Sequence, residues 1–434
     1  MSHPTDRLSR RAFVGSSLAA TGGMLALQPR LFAGAAEKAE LPPVKLAVMG
    51  VNGRGKFLTT LFQGFPNVEI AYLCDPDETV LPAAVKLLTD KGNPAPKVVS
   101  DFRRALEDDS VTALICAAPD HWHALATIWA CQAGKDVYVE KPCCHNPYEG
   151  RKMIEAARKY GRVVQVGSQR RSGTDLAEIA GVIASGELGD VNYARCWINS
   201  VRPGIGKEVV TAPPPTLDFN LWAGPGPGND YKKNLVHYHW HWRWAYGTGE
   251  CGNNGIHALD VARWGLGVGA PKYVTCGGGV RFFEDDQETP DTQLATFDYD
   301  NCTISWEHRT WSDRGIDGEN FGVEFYGSKA TLVTHGKGWT IYEGKKEVRK
   351  REGTSLEQPH AENFLKCIST REKPNADIEI AHQSTLLCHL ANIAWRTRSA
   401  LEFDAANETI VGNPAAQALM RREYRKEFEV PSSV

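Results

Sequence analysis

The sequence predicts an α/β protein: a doubly wound parallel sheet in its N-terminal part, then an α+β domain built on a largely antiparallel sheet. Two observations carry that reading. From Val44 to about Val166, short apolar runs alternate with longer amphipathic stretches, the pattern of strands joined by crossover helices. Beyond Gly167, strand-like runs follow one another with only turns between them, which favours antiparallel pairing. At 434 residues, 42% hydrophobic and 23% charged, the chain is long enough for two ordinary domains, each with its own core. A formal net charge of −3 supplies no broad basic field, so nucleic acid and anionic membrane are disfavoured as partners and a small molecule fits better.

Residues 1–35 read as a leader. Ser9-Arg10-Arg11-Ala12-Phe13-Val14 precedes a Gly- and Ala-rich apolar stretch ending near Leu27, and Ala33-Gly34-Ala35 offers a small-residue cleavage site. The stretch is too short and too broken for a membrane span, so no stable span is expected after processing. The paired arginines resemble a twin-arginine (Tat) signal, which implies export of a folded protein to the periplasm or beyond. An ordinary secretory signal is the alternative. The eleven cysteines are scattered apart from Cys143-Cys144, no C-x-x-C pair occurs, and no metal site is expected from them.

The strands expected in the first domain, residues 36–167, are Lys45–Met49, Val68–Leu73, Ala113–Ala117, Val137–Val139 and Val163–Val166, with helices over Gly55–Phe62, Leu81–Asp90, His123–Ala133 and Tyr148–Lys159. In the second, residues 168–434, strands are expected at Asn192–Ile198, Tyr273–Val280, Thr292–Tyr299, Thr303–Arg309, Gly322–Tyr326 and Ala330–Val333. Leu356–Thr370 and Ile380–Thr397 read as closing helices that pack back on the first domain. Pro213-Pro214-Pro215 and Gly224–Gly228 punctuate loops.

Gly50-Val51-Asn52-Gly53-Arg54-Gly55 lies between the first strand and the first helix. There, glycines let the backbone turn tightly and approach a pyrophosphate, whose charge meets the helix N-terminus. The spacing is G-x-x-G-x-G, not G-x-G-x-x-G, so a purely structural turn stays open. Asp75 ends the second strand about twenty-five residues after Gly50, where an acid accepts hydrogen bonds from an adenosine ribose and disfavours a 2′-phosphate. That selects NAD over NADP, although Arg54 beside the loop leaves NADP possible. Equally, Asp75-Pro76-Asp77 reads as a turn that caps the next helix.

Glu140-Lys141-Pro142 closes the strand Val137–Val139 at the carboxyl edge, where open parallel sheets bind ligands. A partly desolvated Lys141 there can share a substrate hydroxyl proton while hydride leaves the carbon. A surface lysine paired with Glu140 is the plainer alternative. In Gly249–Asp260, Asn253 or Asn254 caps a helix running toward Trp264, and Asn253 and His257 share a face if the first turn is helical. The run His237–Trp244, read as a strand, alternates histidines with aromatics including Trp242. A sugar-facing wall is favoured over a metal site, because no carboxylate follows at a familiar ligand spacing, and simple packing remains open.

The loop Gly50–Gly55, Asp75, Ala118-Pro119-Asp120-His121-Trp122-His123 and Glu140-Lys141-Pro142 together resemble the Gfo/Idh/MocA oxidoreductases, the glucose-fructose oxidoreductase and inositol dehydrogenase family. Gly167-Ser168-Gln169-Arg170-Arg171, Gly327-Ser328-Lys329-Ala330 and the segment Phe364–Pro374 extend the resemblance over essentially all of the mature chain. It implies a Rossmann domain followed by an open, mostly antiparallel sheet that carries the substrate pocket and often the oligomer contact. The cofactor would then meet Gly50, Asn52, Gly53, Arg54, Gly55, Asp75, Pro119, Asp120, His121, His123, Glu140, Lys141 and Gln169. The substrate would meet Lys141, Arg170, Trp242, Asn253 and His257. His257 takes the place of the family's acid/base, and Asn253 stands where an aspartate is common, so an amide replaces the charge that would stabilise an imidazolium.

The expected function is hydride transfer between a secondary alcohol of a sugar or polyol and a tightly bound nicotinamide, in a homo-oligomer. Two alternatives are a redox-neutral glycosidase that works by transient sugar oxidation and elimination, and a non-catalytic NAD or sugar sensor.

Overall fold

A computed structural model describes residues 42–434. The expected leader, with Arg10, Arg11 and Ala33-Gly34-Ala35, lies outside the described residues. Among those described, no helix is long and apolar enough to cross a membrane.

The chain opens with β1 (Val44–Met49), α1 (Arg54–Gln63), β2 (Val68–Cys74), α2 (Leu81–Thr89), β3 (Lys97–Val99) and α3 (Arg103–Leu106). It continues with β4 (Ala113–Cys116), α4 (Asp120–Gln132), β5 (Asp136–Val139), α5 (Pro147–Lys159) and β6 (Val164–Val166). These strands form one parallel sheet in the order β3-β2-β1-β4-β5-β6. Every residue of β4 and β5 is buried, as parallel strands covered by helices on both faces require. Val48 lies opposite Leu73 of β2 on one side and Ile115 of β4 on the other, so strand order reverses at β1. A crevice therefore opens at the carboxyl ends of β1 and β4, the place where such sheets take ligands.

The second half contains α6 (Thr174–Ala184), β7 (Val191–Asn199), α7 (Phe219–Ala223), α8 (Ile256–Leu266), β8 (Tyr273–Gly279), β9 (Thr292–Asp298) and β10 (Thr303–Arg309). After these come β11 (Phe321–Gly327), β12 (Thr331–Thr334), β13 (Trp339–Glu343), β14 (Lys346–Arg351), α9 (Glu357–Thr370) and α10 (Ile378–Thr397). β15 (Leu401–Asp404), β16 (Thr409–Val411) and α11 (Pro414–Ala418) end the regular structure apart from one short turn of helix. The ten strands order as β14-β13-β12-β11-β7-β10-β9-β8-β15-β16, antiparallel throughout except for the β7–β10 pair. Burial alternates along β9, so one face packs on α8 and α10 and the other leaves Leu294 exposed. β14 escapes sequence reading because Lys-Glu-Val-Arg-Lys-Arg carries no apolar alternation, and none of its residues is buried.

α9 buries Ala361, Phe364, Leu365 and Ile368 in the same core as Leu46, Val48 and Leu58 of the first sheet. Phe364 meets Phe62 and Tyr138 edge-on at ring distances of 6.1 and 5.8 Å. Its burial contributes roughly 2–3 kcal/mol. α10 divides its face: Ile378 and Ala381 join the core with Val137 and Val164, whereas Leu386, Leu390 and Ala394 join the core of the second sheet.

Between β7 and α8 a long excursion builds a small core of its own from Leu217, Phe219, Trp222, Leu235, Trp240 and Tyr246. It is tied down by α4. Trp122 Nε1 donates to Trp222 O at 2.9 Å, and the His121 ring packs against Trp222 and Tyr246.

Candidate active site at the carboxyl edge of the parallel sheet

The crevice holds a cavity of about 410 Å³. Its floor is the loop after β1 and the ends of β2, β4 and β5; the excursion supplies Leu221, Trp222, His237, Tyr238, Trp240 and His241 as its roof.

The loop after β1 is shaped for close approach. Gly50 has φ 79°, and a Cβ there would sit 2.7 Å from the Ala117 carbonyl oxygen. A Cβ on Gly55 would overlap Gly50 O, and Gly53 (φ 43°) precedes α1 without any side chain capping the helix. Uncapped N–H groups beside a glycine cradle fit a pyrophosphate. Asp75 closes the turn but caps no helix: Oδ1 accepts from Asp77 N at 3.0 Å, Oδ2 accepts from Val51 N at 2.9 Å, pinning the loop, and α2 starts at Leu81 without a side-chain cap. Burial pushes its carboxyl up from the ordinary range, against the pull of those two backbone donors. Each oxygen keeps a second lone pair for a ribose hydroxyl.

Arg54 corrects one expectation. Its guanidinium donates to Glu140 Oε1 at 2.8 Å and to both Glu357 oxygens at 3.0 and 2.9 Å, so it is committed to two carboxylates and not free to receive a 2′-phosphate. Burial opposes its charge, but Glu140 and Glu357 outweigh that and raise its pKa. Glu357 lies three hundred residues downstream on α9 and has no sequence signal of its own.

Lys141 is not a surface lysine paired with Glu140. Its ammonium donates to Asn253 O at 2.6 Å and Asn253 Oδ1 at 3.1 Å, while Glu140 turns to Arg54. Burial pushes the ammonium down from the usual lysine range, against the pull of Glu140 and Asp120. The Lys141–Pro142 peptide is cis, and His123 brackets the turn with Nδ1 2.7 Å from Pro142 O and Nε2 2.8 Å from Ala118 O. Burial holds His123 below the usual imidazole range; in its neutral form one of those nitrogens donates and the other meets a carbonyl lone pair.

The segment Cys251–Gly255 is a π-helical turn leading into α8, so Asn253 caps nothing and does not follow simple four-residue spacing to His257. The amide expected to orient the imidazole instead holds Lys141. His257 is partly buried; desolvation first, then Arg170, Lys141 and Arg54, keep its pKa well below the usual value. It stands beside the cavity but does not line it.

Asn52, Pro119, Asp120, His123, Glu140 and Gln169 line the cavity as expected. Gln169 Nε2 donates to Glu357 at 3.1 Å, and its buried Oε1 has no partner, an acceptor suited to a carboxamide N–H. His121 is corrected: its ring nitrogens face Tyr246 O and Trp222 O at 3.2 and 3.0 Å, away from the cavity. Arg170 donates to Gly336 O at 3.2 Å and covers the Phe321 ring, again off the cavity wall. Trp242 is buried beneath the Arg202 guanidinium, 3.8 Å from its ring centre. The cause is local: His239–Trp242 is a 3-10 turn, not a strand, which breaks the alternation and brings Trp240 and His241 to the wall instead. Nor do the run's histidines converge, since His237 meets Asp77 at 2.9 Å and His239 and His241 bond Asn234 O and Tyr238 O. Trp222 and Leu221 had no motif to announce them.

Asp120 accepts from Thr248 Oγ1 at 2.7 Å, and burial pushes its carboxyl up to about 7. A carboxyl raised on folding stays protonated where the unfolded chain is ionised, so this group makes stability fall as pH rises from about 4 to 7. Asp120→Asn removes that slope. Relative to wild type, its stability is expected to rise by about 2–3 kcal/mol between pH 5 and 7, read from urea unfolding.

Two family models match the chain: "Oxidoreductase family, NAD-binding Rossmann fold" over residues 44–168 and "Oxidoreductase family, C-terminal alpha/beta domain" over residues 197–430. The chain belongs to the Gfo/Idh/MocA oxidoreductase family and carries its NAD-binding Rossmann domain. Among curated relatives it is similar to an uncharacterized oxidoreductase, YdgJ, of Escherichia coli K12, 28% identical over 37% of this chain and 45% of that one. A glycosyl hydrolase family 109 protein of Saccharopolyspora erythraea is 31% identical over 27% of each chain. Inositol 2-dehydrogenase of Salmonella agona is 28% identical over 34% of this chain and 43% of that one. The chain thus spans less than half the length of these relatives. In fold it matches the WlbA dehydrogenase of Bordetella pertussis, solved with NADH and UDP-GlcNAcA, with a TM-score of 0.64 at 17% identity over 83% of this chain and 99% of that one.

Proposed function

We propose that the protein transfers hydride between a secondary alcohol of a sugar or polyol and NAD, with Lys141 exchanging the hydroxyl proton. The observation that carries this reading is the Lys141 ammonium, held on Asn253 in the same cavity that the glycine loop lines. Bound nicotinamide supplies the hydride acceptor. Lys141 lines the cavity that would hold the hydroxyl, and Trp222, Tyr238 and Trp240 line it too, aromatic rings of the kind suited to sugar C–H surfaces. Asp75 favours an unphosphorylated ribose. The inositol dehydrogenase relative supports a polyol substrate.

Export is part of the same reading, on Arg10 and Arg11, and favours a cofactor retained between turnovers. A homo-oligomer is proposed to form on the uncovered face of the second sheet around Tyr273 and Leu294. The test is to purify the protein without added cofactor, measure bound nicotinamide by absorbance and mass, and incubate it with free sugars, polyols and aryl glycosides. Bound NAD, reduced by a free sugar or polyol, is the expected result. Aglycone release without net reduction would assign redox-neutral glycoside cleavage instead, and absence of both cofactor and turnover would overturn the proposal.

A further inference from the structure

The fold brings the adjacent pair Cys143-Cys144, which follows the Lys141–Pro142 turn, against α10. Cys143 Sγ, Cys144 Sγ and a ring nitrogen of His382 all lie within 4.8 Å of one another, and His389 Nε2 is 3.5 Å from Cys144 Sγ. His382 and His389 are seven residues apart, two turns along one side of the helix. All four side chains are buried, the two thiols and His382 completely.

Three details separate this cluster from ordinary core packing. First, His382 Nδ1 is buried with no hydrogen-bond partner, while Nε2 of the same ring meets Glu408 at 3.1 Å and Glu408 in turn pairs with Arg151. A carboxylate on one ring nitrogen and a bare lone pair on the other is the arrangement of a metal-ligating histidine. Second, the spacings fit a tetrahedral ion. Bonds of about 2.3 Å to sulfur and 2.0–2.1 Å to nitrogen give tetrahedral edges of about 3.8 Å between sulfurs and 3.5–3.6 Å between sulfur and nitrogen. The two sulfurs are 3.7 Å apart, and the His382 ring nitrogen lies within 4.8 Å of both. Third, α5 passes the cluster at Gly150, where a Cβ would overlap His382 Nδ1 and come within 3.0 Å of Cys144 Sγ, so the wall is closed by a residue that leaves the donors clear.

We propose that Cys143, Cys144 and His382 bind one zinc ion, with His389 Nε2 set 3.5 Å from the Cys144 sulfur as its neighbour. Two thiol protons leave as the thiolates bind, and Thr385 Oγ1, which accepts from Cys143 Sγ at 3.4 Å, then turns its own proton to that thiolate. The ion keeps three protein donors and a fourth position for water, away from the cavity wall. It fastens the segment after Lys141 to the helix that both cores share.

The test uses the full, untagged chain produced with zinc in the medium, passed through a chelator and a sizing column, and assayed by elemental mass spectrometry. One zinc per chain is expected. Cys144→Ser is expected to lose it and Cys276→Ser, on β8, to keep it. Should Cys144→Ser fail to fold, wild-type protein loaded with cobalt(II) keeps the question decidable, because thiolate ligation gives near-ultraviolet charge-transfer and visible ligand-field bands. A wild-type chain without stoichiometric zinc, or a cobalt form without thiolate bands, overturns the site, whether the sulfurs are then free thiols or a disulfide.

Discussion

Lys141→Ala is expected to lower kcat by about 10²- to 10⁴-fold while the protein still purifies with its nicotinamide. The size is that of a positioned proton-transfer group removed from a hydride transfer whose other components stay in place. Retention of the cofactor follows from geometry: the glycine loop and Asp75 follow β1 and β2, whereas Lys141 follows β5 and is held from α8's side by Asn253. Lys141→Arg is not expected to restore turnover, because a planar guanidinium cannot place one compact charge on both Asn253 oxygens. Steady-state rates together with the absorbance of bound cofactor test both statements. Loss of the cofactor with Lys141 would mean that the lysine holds the dinucleotide rather than the proton.

Gly50→Ala is expected to do the reverse, removing the cofactor and destabilising the fold together. A methyl group at φ 79° costs about 1–2 kcal/mol in backbone conformation. The overlap with Ala117 O and Ala118 N adds about 1–3 kcal/mol, since both atoms are backbone and cannot swing aside. A loss of about 2–5 kcal/mol in urea unfolding is expected, with no nicotinamide bound after purification. Stability close to wild type would show that the loop relaxes freely, and the tight approach of β1 and β4 would then matter less than the geometry indicates.

Much of the fold is legible in the sequence because apolar runs fix where strands lie and the turns between them fix their direction. β1, β2, β4, β5 and β6 stand out as short apolar runs whose residues go mostly or wholly into the core. Asp75 and Lys141 are legible for a related reason: each ends a strand at the sheet's carboxyl edge, so sequence position implies spatial position. Reading fails where partners are distant or periodicity breaks. Arg54 looked available because nothing nearby in sequence announces Glu357. A helical count pairs Asn253 with His257, and the π turn at Cys251–Gly255 invalidates that count. Alternation puts Trp242 on the wall only if the run is a strand, and the 3-10 turn puts its neighbours Trp240 and His241 there instead. Nothing in the sequence near Cys143-Cys144 announces His382, about 240 residues away on α10.

The distribution of α9 and α10 bears on how such an enzyme can be cut and recombined. The dinucleotide-binding unit is discontinuous in the chain: one flank of its sheet is finished by Phe364 and its neighbours, the other by the first turn of α10. A fragment ending after β6 would present those apolar surfaces to water. A chimera that grafts this cofactor domain onto another substrate domain must therefore carry both segments, or supply helices of matching shape, to remain soluble.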